Sequence, residues 1–177
     1  RVLGQARRAV GDVSGALAAF EEGAALARQL DMPAMAIELD VAHAQVRADE
    51  GGVDDALAAL RASIDEAILV GSVISEAWAR SCHGWVALRT DPSSAMPEIE
   101  QALALSKRID YPIGIAVNLR SRAFAELLLD DLPSARATVA ELLDAVLDRG
   151  ALSHARLVVD VAAVLAHELG HDSWGLL

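Results

Sequence analysis

The sequence predicts an all-α protein in which antiparallel helical hairpins, each of about 39–40 residues, stack as a solenoid. Hydrophobic residues make up 54% of the 177 residues while aromatic residues make up only 3%, so the core must be built from small side chains. Alanine and leucine are abundant, and both are strong helix formers. Besides this composition, turn segments recur along the chain with the same period, which is typical of arrays of helical hairpins.

Four alanines mark the repeat, and the spacing between successive ones is nearly constant. A larger apolar residue follows each alanine after four positions, which places both on one face of a helix. A lone hairpin cannot bury such an apolar stripe, whereas stacked neighbours can, so the pattern favours an array. The four pairs are Ala16 and Phe20, Ala56 and Leu60, Ala95 and Ile99, and Ala135 and Val139.

Periodicity and turn signals together predict nine helices, with a tenth beginning near residue 172. The first helix of each hairpin is predicted at residues 1–10, 34–49, 74–89, 113–129 and 151–169. The second helix is predicted at residues 13–30, 53–70, 92–108 and 133–148. In two of the first helices, apolar residues at steps of three and four predict core-facing stripes: Ile74, Trp78, Cys82 and Trp85, and Ile115, Leu119, Ala123 and Leu127.

The turn segments carry residues that begin and end helices. Gly11 and Gly51 are expected to end the preceding helices in a left-handed conformation. Pro97 lies inside the third of the second helices, which must either bend there or start after it. Carboxylates are expected to cap the second helices and to suit the positive end of the helix dipole: Asp12, Asp54, Asp91 and Asp131.

A second repetition concerns the loops between hairpins. Residues 30–33 read Leu-Asp-Met-Pro, and residues 109–112, which lie 79 positions later, read Ile-Asp-Tyr-Pro. Because proline cannot continue a helix and restricts the residue before it, we expect the longer loops of the repeat at these two Asp-x-Pro segments.

The chain is predicted to be one helical-repeat domain over residues 1–177, with about four and a half repeats, and to be a fragment truncated at both ends. Its net charge of −11 argues against contact with nucleic acid, whose binders carry a basic face, and against anionic membranes. With one cysteine, Cys82, no intrachain disulfide can form, which fits a reducing cytoplasm. The sequence does not indicate an oligomeric state.

The start of the chain resembles the tetratricopeptide motif through Leu3, Gly4, Gly11, Asp12, Ala16, Phe20 and Gly23. The usual repeat of that family is shorter, with about 34 residues, so we expect the extra residues here to lengthen the helices. Residues 102–116 and the pair Asp130 and Asp131 are similar to the helical-repeat region of large bacterial regulators, namely LuxR-type, SARP-type and cyclase-linked ATPases. The resemblance implies a right-handed superhelix without a cofactor. It also implies a protein-interaction and regulatory scaffold of a cytosolic transcriptional or signalling regulator, not an enzyme.

In tetratricopeptide-like arrays the first helix of each hairpin lines a concave groove. The resemblance therefore implies partner-binding positions, which by motif alignment are Gln45, Arg80, Arg120, Phe124 and Asp160, with Gln5 and Arg8 at the start of the chain. Arginine can clamp a carboxylate through two hydrogen bonds, and phenylalanine can bury an apolar side chain. We expect a protein or peptide ligand with an acidic or C-terminal carboxylate, including other domains of the same polypeptide. Arg80 and Arg120 are expected to form an equivalent pair.

Two other functions remain open. The apolar stretch formed by Phe124, Leu127 and Leu128 is compatible with a small-molecule effector held in the groove or in a closed superhelix. The H-E-x-x-H pattern of zinc peptidases is matched by His167-Glu168-Leu169-Gly170-His171.

The zinc-peptidase hypothesis is the remote one, because the repeat argues against it. The series of turns predicts another turn at Gly170, which would take the second histidine off the helical face of the first. A catalytic zinc also needs a third protein ligand, and the extended zinc-peptidase pattern has glycine and histidine where this sequence has Trp174 and Leu177. We expect no catalytic residue and no metal site in this chain.

Overall fold

The computed structural model describes residues 1–148 and 155–168, and every regular element in these two ranges is an α-helix. The predicted all-α class is confirmed. None of the described helices is long and apolar enough to cross a membrane. The described ranges contain nine helices, namely α1 (Val2–Ala9), α2 (Val13–Gln29), α3 (Pro33–Asp49), α4 (Val53–Leu69), α5 (Val73–Ala87), α6 (Pro92–Arg108), α7 (Pro112–Leu128), α8 (Leu132–Asp148) and α9 (Ala155–Glu168). The tenth helix predicted near residue 172 lies outside the described residues.

The helices stack as a solenoid of hairpins. Each helix packs against the next along the chain, and α3 also packs against α5, α5 against α7, and α7 against α9. The odd-numbered helices therefore form one continuous layer, and the even-numbered helices lie along it as a second layer. Because an odd helix has neighbours on more sides, α5 and α7 bury more residues than α4 and α6 do.

The length of the helices explains the period of the repeat. The helices α2, α3, α4, α6, α7 and α8 each contain 17 residues. Three-residue connections separate most of them, so two helices and their two connections make one period. Longer helices thus account for the extra residues, as predicted. Helix α5 contains 15 residues and a four-residue connection follows it, so the repeat that contains α5 is one residue shorter than the others.

The prediction of longer loops at the Asp-x-Pro segments is wrong. The connections at residues 30–32 and 109–111 contain three residues, as does the connection at residues 50–52. Pro33 and Pro112 are the first residues of α3 and α7. A first-turn proline loses no helical hydrogen bond, so these prolines begin the next helix and do not lengthen the loop.

A left-handed residue ends most of the helices. Gly11 and Gly51 adopt φ values of 81° and 93°, as predicted, and Gly71 adopts 69°. Aspartate takes the same place elsewhere, at Asp31, Asp110 and Asp130, with φ values of 55°, 49° and 60°. The connection after α5 contains no left-handed residue, so that helix ends differently from its equivalents.

Three of the four predicted aspartate caps are confirmed. The carboxylates of Asp12, Asp91 and Asp131 accept hydrogen bonds from the backbone N–H groups of the first turns of α2, α6 and α8, at 2.9, 3.0 and 3.2 Å. Asp54 is not a cap: Gly52 occupies the cap position, and Asp54 is the second residue of α4. Its carboxylate interacts only with the helix dipole.

Pro97 lies within a continuous helix. Helix α6 begins at Pro92, so the alternative of a start after Pro97 is wrong. Proline has no N–H, so the carbonyl of Ser93 lacks its usual donor four residues later.

The core follows the predicted alanine pattern. Phe20, Leu60 and Ile99 are completely buried. The four alanines of the pattern, one per repeat, are buried as well. Val139 is half-buried and packs against the cluster around Leu142.

Candidate functional site

The odd helices expose two narrow strips, because their other sides are buried against neighbours. One strip faces the even helices: Asp40 of α3 pairs with Arg28 of α2, and Arg122 of α7 pairs with Glu141 of α8 at 2.8 Å. In the other strip, hydrogen bonds, ion pairs and ring contacts join odd helices to each other, to Arg1 before α1, or to the loop after α5. We call this second strip the odd-helix face. Its main residues are Glu38, Gln45 and Asp49, then Ile74, Trp78 and Trp85, and then Ile113, Val117, Arg120, Phe124 and Leu128.

Three side chains of α5 and α7 form an aromatic cluster at the centre of this face. The rings of Trp85 and Phe124 meet edge to face, with centroids 5.8 Å apart and an interplanar angle of 68°. The Cζ atom of Arg120 lies 4.4 Å from the centroid of the Trp85 ring. An aromatic pair contributes about 0.5–1.5 kcal/mol beyond the area it buries, and a guanidinium over an indole ring adds about 0.5–2 kcal/mol. The contacts hold three half-exposed side chains in fixed positions.

Trp85 and Phe124 meet because they occupy equivalent positions in neighbouring odd helices. Gln45, Trp85 and Phe124 are each the thirteenth residue of their helix, so they form a column along the odd-helix face. Gln45 donates its Nε2 hydrogen bond to Sγ of Cys82 at 3.1 Å, which joins α3 to α5. Cys82 is buried, and burial raises the pKa of its thiol well above the ordinary value. Two of the predicted binding residues, Gln45 and Phe124, thus lie in one column.

Sequence reasoning missed Trp85 as a functional candidate because helical periodicity places it in the core. In the predicted stripe of α5, only Cys82 is buried, while Trp78 and Trp85 are half-buried and Ile74 is exposed. In α7 the stripe is confirmed for Ile115, Leu119 and Ala123, while Leu127 is half-buried. A helix with neighbours on two sides has two apolar stripes, and periodicity alone does not separate them.

Arg80 does not lie beside Arg120, so the predicted pair is wrong in register. Arg80 is the eighth residue of α5, whereas Arg120 is the ninth residue of α7, and one residue corresponds to about 100° of helix rotation. The side chain of Arg80 is only 13% exposed. Its Nε donates to Glu76 at 2.9 Å and its Nη1 to Glu98 of α6 at 2.6 Å, so it faces the even helices.

The other predicted positions lie at the two ends of the array. Asp160 is exposed on α9, and Gln5 is exposed on α1. Arg8 pairs with Asp49 of α3, and Asp49 also pairs with Arg89 at 2.6 Å. The α1–α3 part of the odd-helix face therefore contains charged residues that pair with one another, while its α5–α7 part is mostly apolar.

A cluster of charged and polar side chains lies on the strip that faces the even helices, among α4, α5 and α6. Glu98 accepts the hydrogen bond from Arg80 and lies 3.5 Å from Nη1 of Arg61. His83 is 7% exposed, and its Nε2 lies 3.4 Å from Nη2 of Arg61. Since a guanidinium only donates, Nε2 accepts and the proton resides on Nδ1, which has no hydrogen-bond partner among the described residues. Burial lowers the pKa of His83; Glu98 opposes this shift, and the two arginines add to it.

The described ranges contain no group of three or more His, Cys, Asp or Glu side chains able to hold a metal ion. His167 and Glu168 are the last described residues of α9, and the remainder of the H-E-x-x-H pattern lies outside the described residues.

The depressions on the described surface do not coincide with the aromatic cluster. One depression of about 640 Å³ lies between the turns at Gly11 and Gly52 and is open to solvent. A cavity of about 10 Å³ between α5 and α7, lined in part by Trp78 and Asn118, has room for a single water molecule. Neither of these depressions is lined by Trp85, Arg120 or Phe124. Compared with models of known protein families and with curated proteins, the chain has no match.

Proposed function

We propose that this chain is a protein-interaction module that binds a peptide segment of its partner along the odd-helix face. The observation that carries the proposal is the cluster of Trp85, Arg120 and Phe124. Tryptophan and arginine are enriched among the residues that dominate binding energies at protein interfaces. Here they stand half-exposed on two packed helices, so little side-chain entropy is lost when a partner covers them.

The chemistry of the face indicates the kind of segment it would bind. Ile113 and Leu128 are 39% and 59% exposed, so apolar surface flanks the aromatic cluster. The guanidinium of Arg120 places positive charge beside the Trp85 ring, which favours a carboxylate in the bound segment. A long acidic segment would be repelled by the net charge of −11. We therefore expect large apolar residues next to a single carboxylate, either a side chain or a C-terminus.

A selection from a displayed peptide library tests this proposal. Peptides enriched on the wild-type chain should contain the apolar–carboxylate pattern, and their affinity should fall about tenfold or more on Arg120→Ala or Phe124→Ala, the loss typical of important interface residues. Arg136→Ala is the matched control, because Arg136 is exposed on α8, away from the odd-helix face. Failure to enrich any peptide, or enriched peptides that bind Arg120→Ala as tightly as the wild type, would overturn the proposal.

We further propose that the module belongs to a cytosolic bacterial transcriptional or signalling regulator, in which it restrains or assembles other domains. The support is the resemblance of the repeat to such regulators, together with a face suited to protein partners. The complete gene provides the test: a phosphate-binding ATPase domain or a DNA-binding helix-turn-helix beside this region is the expected result. A gene that encodes a stand-alone peptidase or a transport protein would contradict it.

A further inference from the structure

Between α2 and α8, the departures from the repeat coincide at one place, the junction of α4, α5 and α6. Helix α5 has 15 residues, whereas α3 and α7 on either side of it have 17. The connection after it, residues 88–91, has four residues and no left-handed residue to end the helix. Helix α6 then contains Pro97, which removes one backbone hydrogen bond from its first half. The backbone of this junction therefore differs from that of the neighbouring junctions, although residues 88–91 keep backbone hydrogen bonds to the end of α5.

A buried carboxylate holds the same junction together. Glu98 is 8% exposed and lies one residue after Pro97. It accepts a 2.6 Å hydrogen bond from Arg80 of α5 and lies 3.5 Å from Arg61 of α4, so one side chain connects three helices. Glu98 is the seventh residue of α6, and the seventh residues of the other 17-residue even helices are uncharged: Ala19, Ala59 and Thr138.

Ion pairs of this kind add little to stability when intact and destabilise strongly when one partner is lost. The cost of removing two charges from water offsets most of their attraction, but loss of one partner leaves a buried charge unpaired. The contact between Glu98 and Arg80 is thus favourable over a narrow range of helix positions only. Sharp bends in helices occur mainly where a proline or a similar defect interrupts the hydrogen bonds, and Pro97 places such a defect beside Glu98.

We propose that the α4–α5–α6 junction is the hinge of the array. In this proposal the ion pairs of the Glu98 carboxylate fix the angle between the segments on either side of the hinge. The segments on either side, α1–α4 and α6–α8, have regular 17-residue helices after α1 and move as two stiffer halves. The angle between the halves determines how the charged part of the odd-helix face is aligned with the aromatic part. This inference concerns the mechanics of the array and does not require that the odd-helix face bind a peptide.

The distance between two spin labels, one on each half, measures the hinge directly. Ala18 of α2 and Arg136 of α8 are exposed and are replaced by labelled cysteines in a Cys82→Ala background. The proposal predicts a broader or shifted distance distribution for Glu98→Gln, which removes the charge but keeps the size of the side chain. It predicts a narrower distribution for Pro97→Ala, which restores the missing hydrogen bond.

Glu141→Gln is the matched control. Glu141 also contacts two cations on two helices, Arg122 at 2.8 Å and Lys107 at 2.8 Å, but its junction has 17-residue helices and a three-residue connection. The distance distribution of Glu141→Gln should stay as narrow as that of the labelled parent protein. The proposal is overturned if Glu98→Gln leaves the distribution unchanged, or if Glu141→Gln broadens it equally. Should Glu98→Gln lose helical circular dichroism, Pro97→Ala decides alone, and an unchanged width then overturns the proposal.

Discussion

At the scale of single residues, the surroundings of His83 connect burial to pH. The ring is enclosed by charged groups from three helices: Arg61 of α4, Arg80 of α5 and Glu98 of α6. Its acceptor nitrogen faces the guanidinium of Arg61, so a proton added there would meet a like charge. Burial and the two arginines lower the pKa of His83 below the ordinary value of 6.5 despite the opposing effect of Glu98.

The lowered pKa predicts that the folded protein loses stability as the pH falls. Between the ordinary pKa of 6.5 and the lower folded-state pKa, the unfolded chain binds more protons at His83 than the folded chain does. The contribution of His83 to the free energy of unfolding therefore declines as pH falls through 6.5, and becomes constant below the folded-state pKa. Well above 6.5, where His83 is neutral in both states, it contributes no pH dependence.

Urea denaturation of the wild type and of His83→Gln, followed by circular dichroism at several pH values from 7.5 to 5, tests this prediction. Glutamine keeps an acceptor for Arg61 but does not titrate, so the variant should lose less stability on acidification than the wild type. The other titratable groups are common to both proteins and cancel in the comparison. Identical pH profiles would show that His83 titrates normally.

At the scale of the elements, the positions of α2–α8 were predictable to within one or two residues because the signals are local. Glycine, aspartate and proline stand at the turns, and the larger residue after each alanine marks the core. The length of α5 was not predictable in this way. Residues 88–91 read Leu-Arg-Thr-Asp, which contains neither glycine nor proline to mark an early helix end.

That missing signal had consequences for the candidate site. Counting back from the predicted helix ends aligns Arg80 with Arg120, whereas counting from the helix starts aligns Trp85 with Phe124. Nothing in the sequence favours one count over the other, since the residue that this repeat lacks could be missing from α5 or from its connection. Side-chain direction depends on that choice. Gln45 and Phe124 occupy equivalent positions by either count in the structure, because α3 and α7 both have 17 residues.

The capping aspartates give a prediction at the level of one helix. Asp91 caps α6 through the N–H of Ser93, so Asp91→Ala should lower the free energy of unfolding by about 1 kcal/mol. Asp54→Ala is the control, because Asp54 lies in the first turn of α4 without a capping hydrogen bond and should cost only a few tenths of a kcal/mol. Chemical denaturation of both variants measures the difference. A loss at Asp54 as large as that at Asp91 would indicate that the dipole, and not the hydrogen bond, carries the effect.

At the scale of the whole molecule, the core is a chain of local clusters. One buried cluster joins α3, α4 and α5 and includes Leu60, while another joins α6, α7, α8 and α9 and includes Leu142. Each helix contacts only its near neighbours in the stack. The stability of such an array is close to a sum of terms for units and their adjacent interfaces, so damage in one cluster should remain partly confined to it.

Matched substitutions in the two clusters test this confinement. Leu60 and Leu142 are both fully buried, so replacing either with alanine should cost about 2–5 kcal/mol. In native-state hydrogen exchange, Leu60→Ala should reduce the protection of amides mainly in α3–α5, and Leu142→Ala mainly in α7 and α8, because local openings follow cooperative units. If instead either variant lowered protection uniformly from α2 to α8, the array would unfold as one unit.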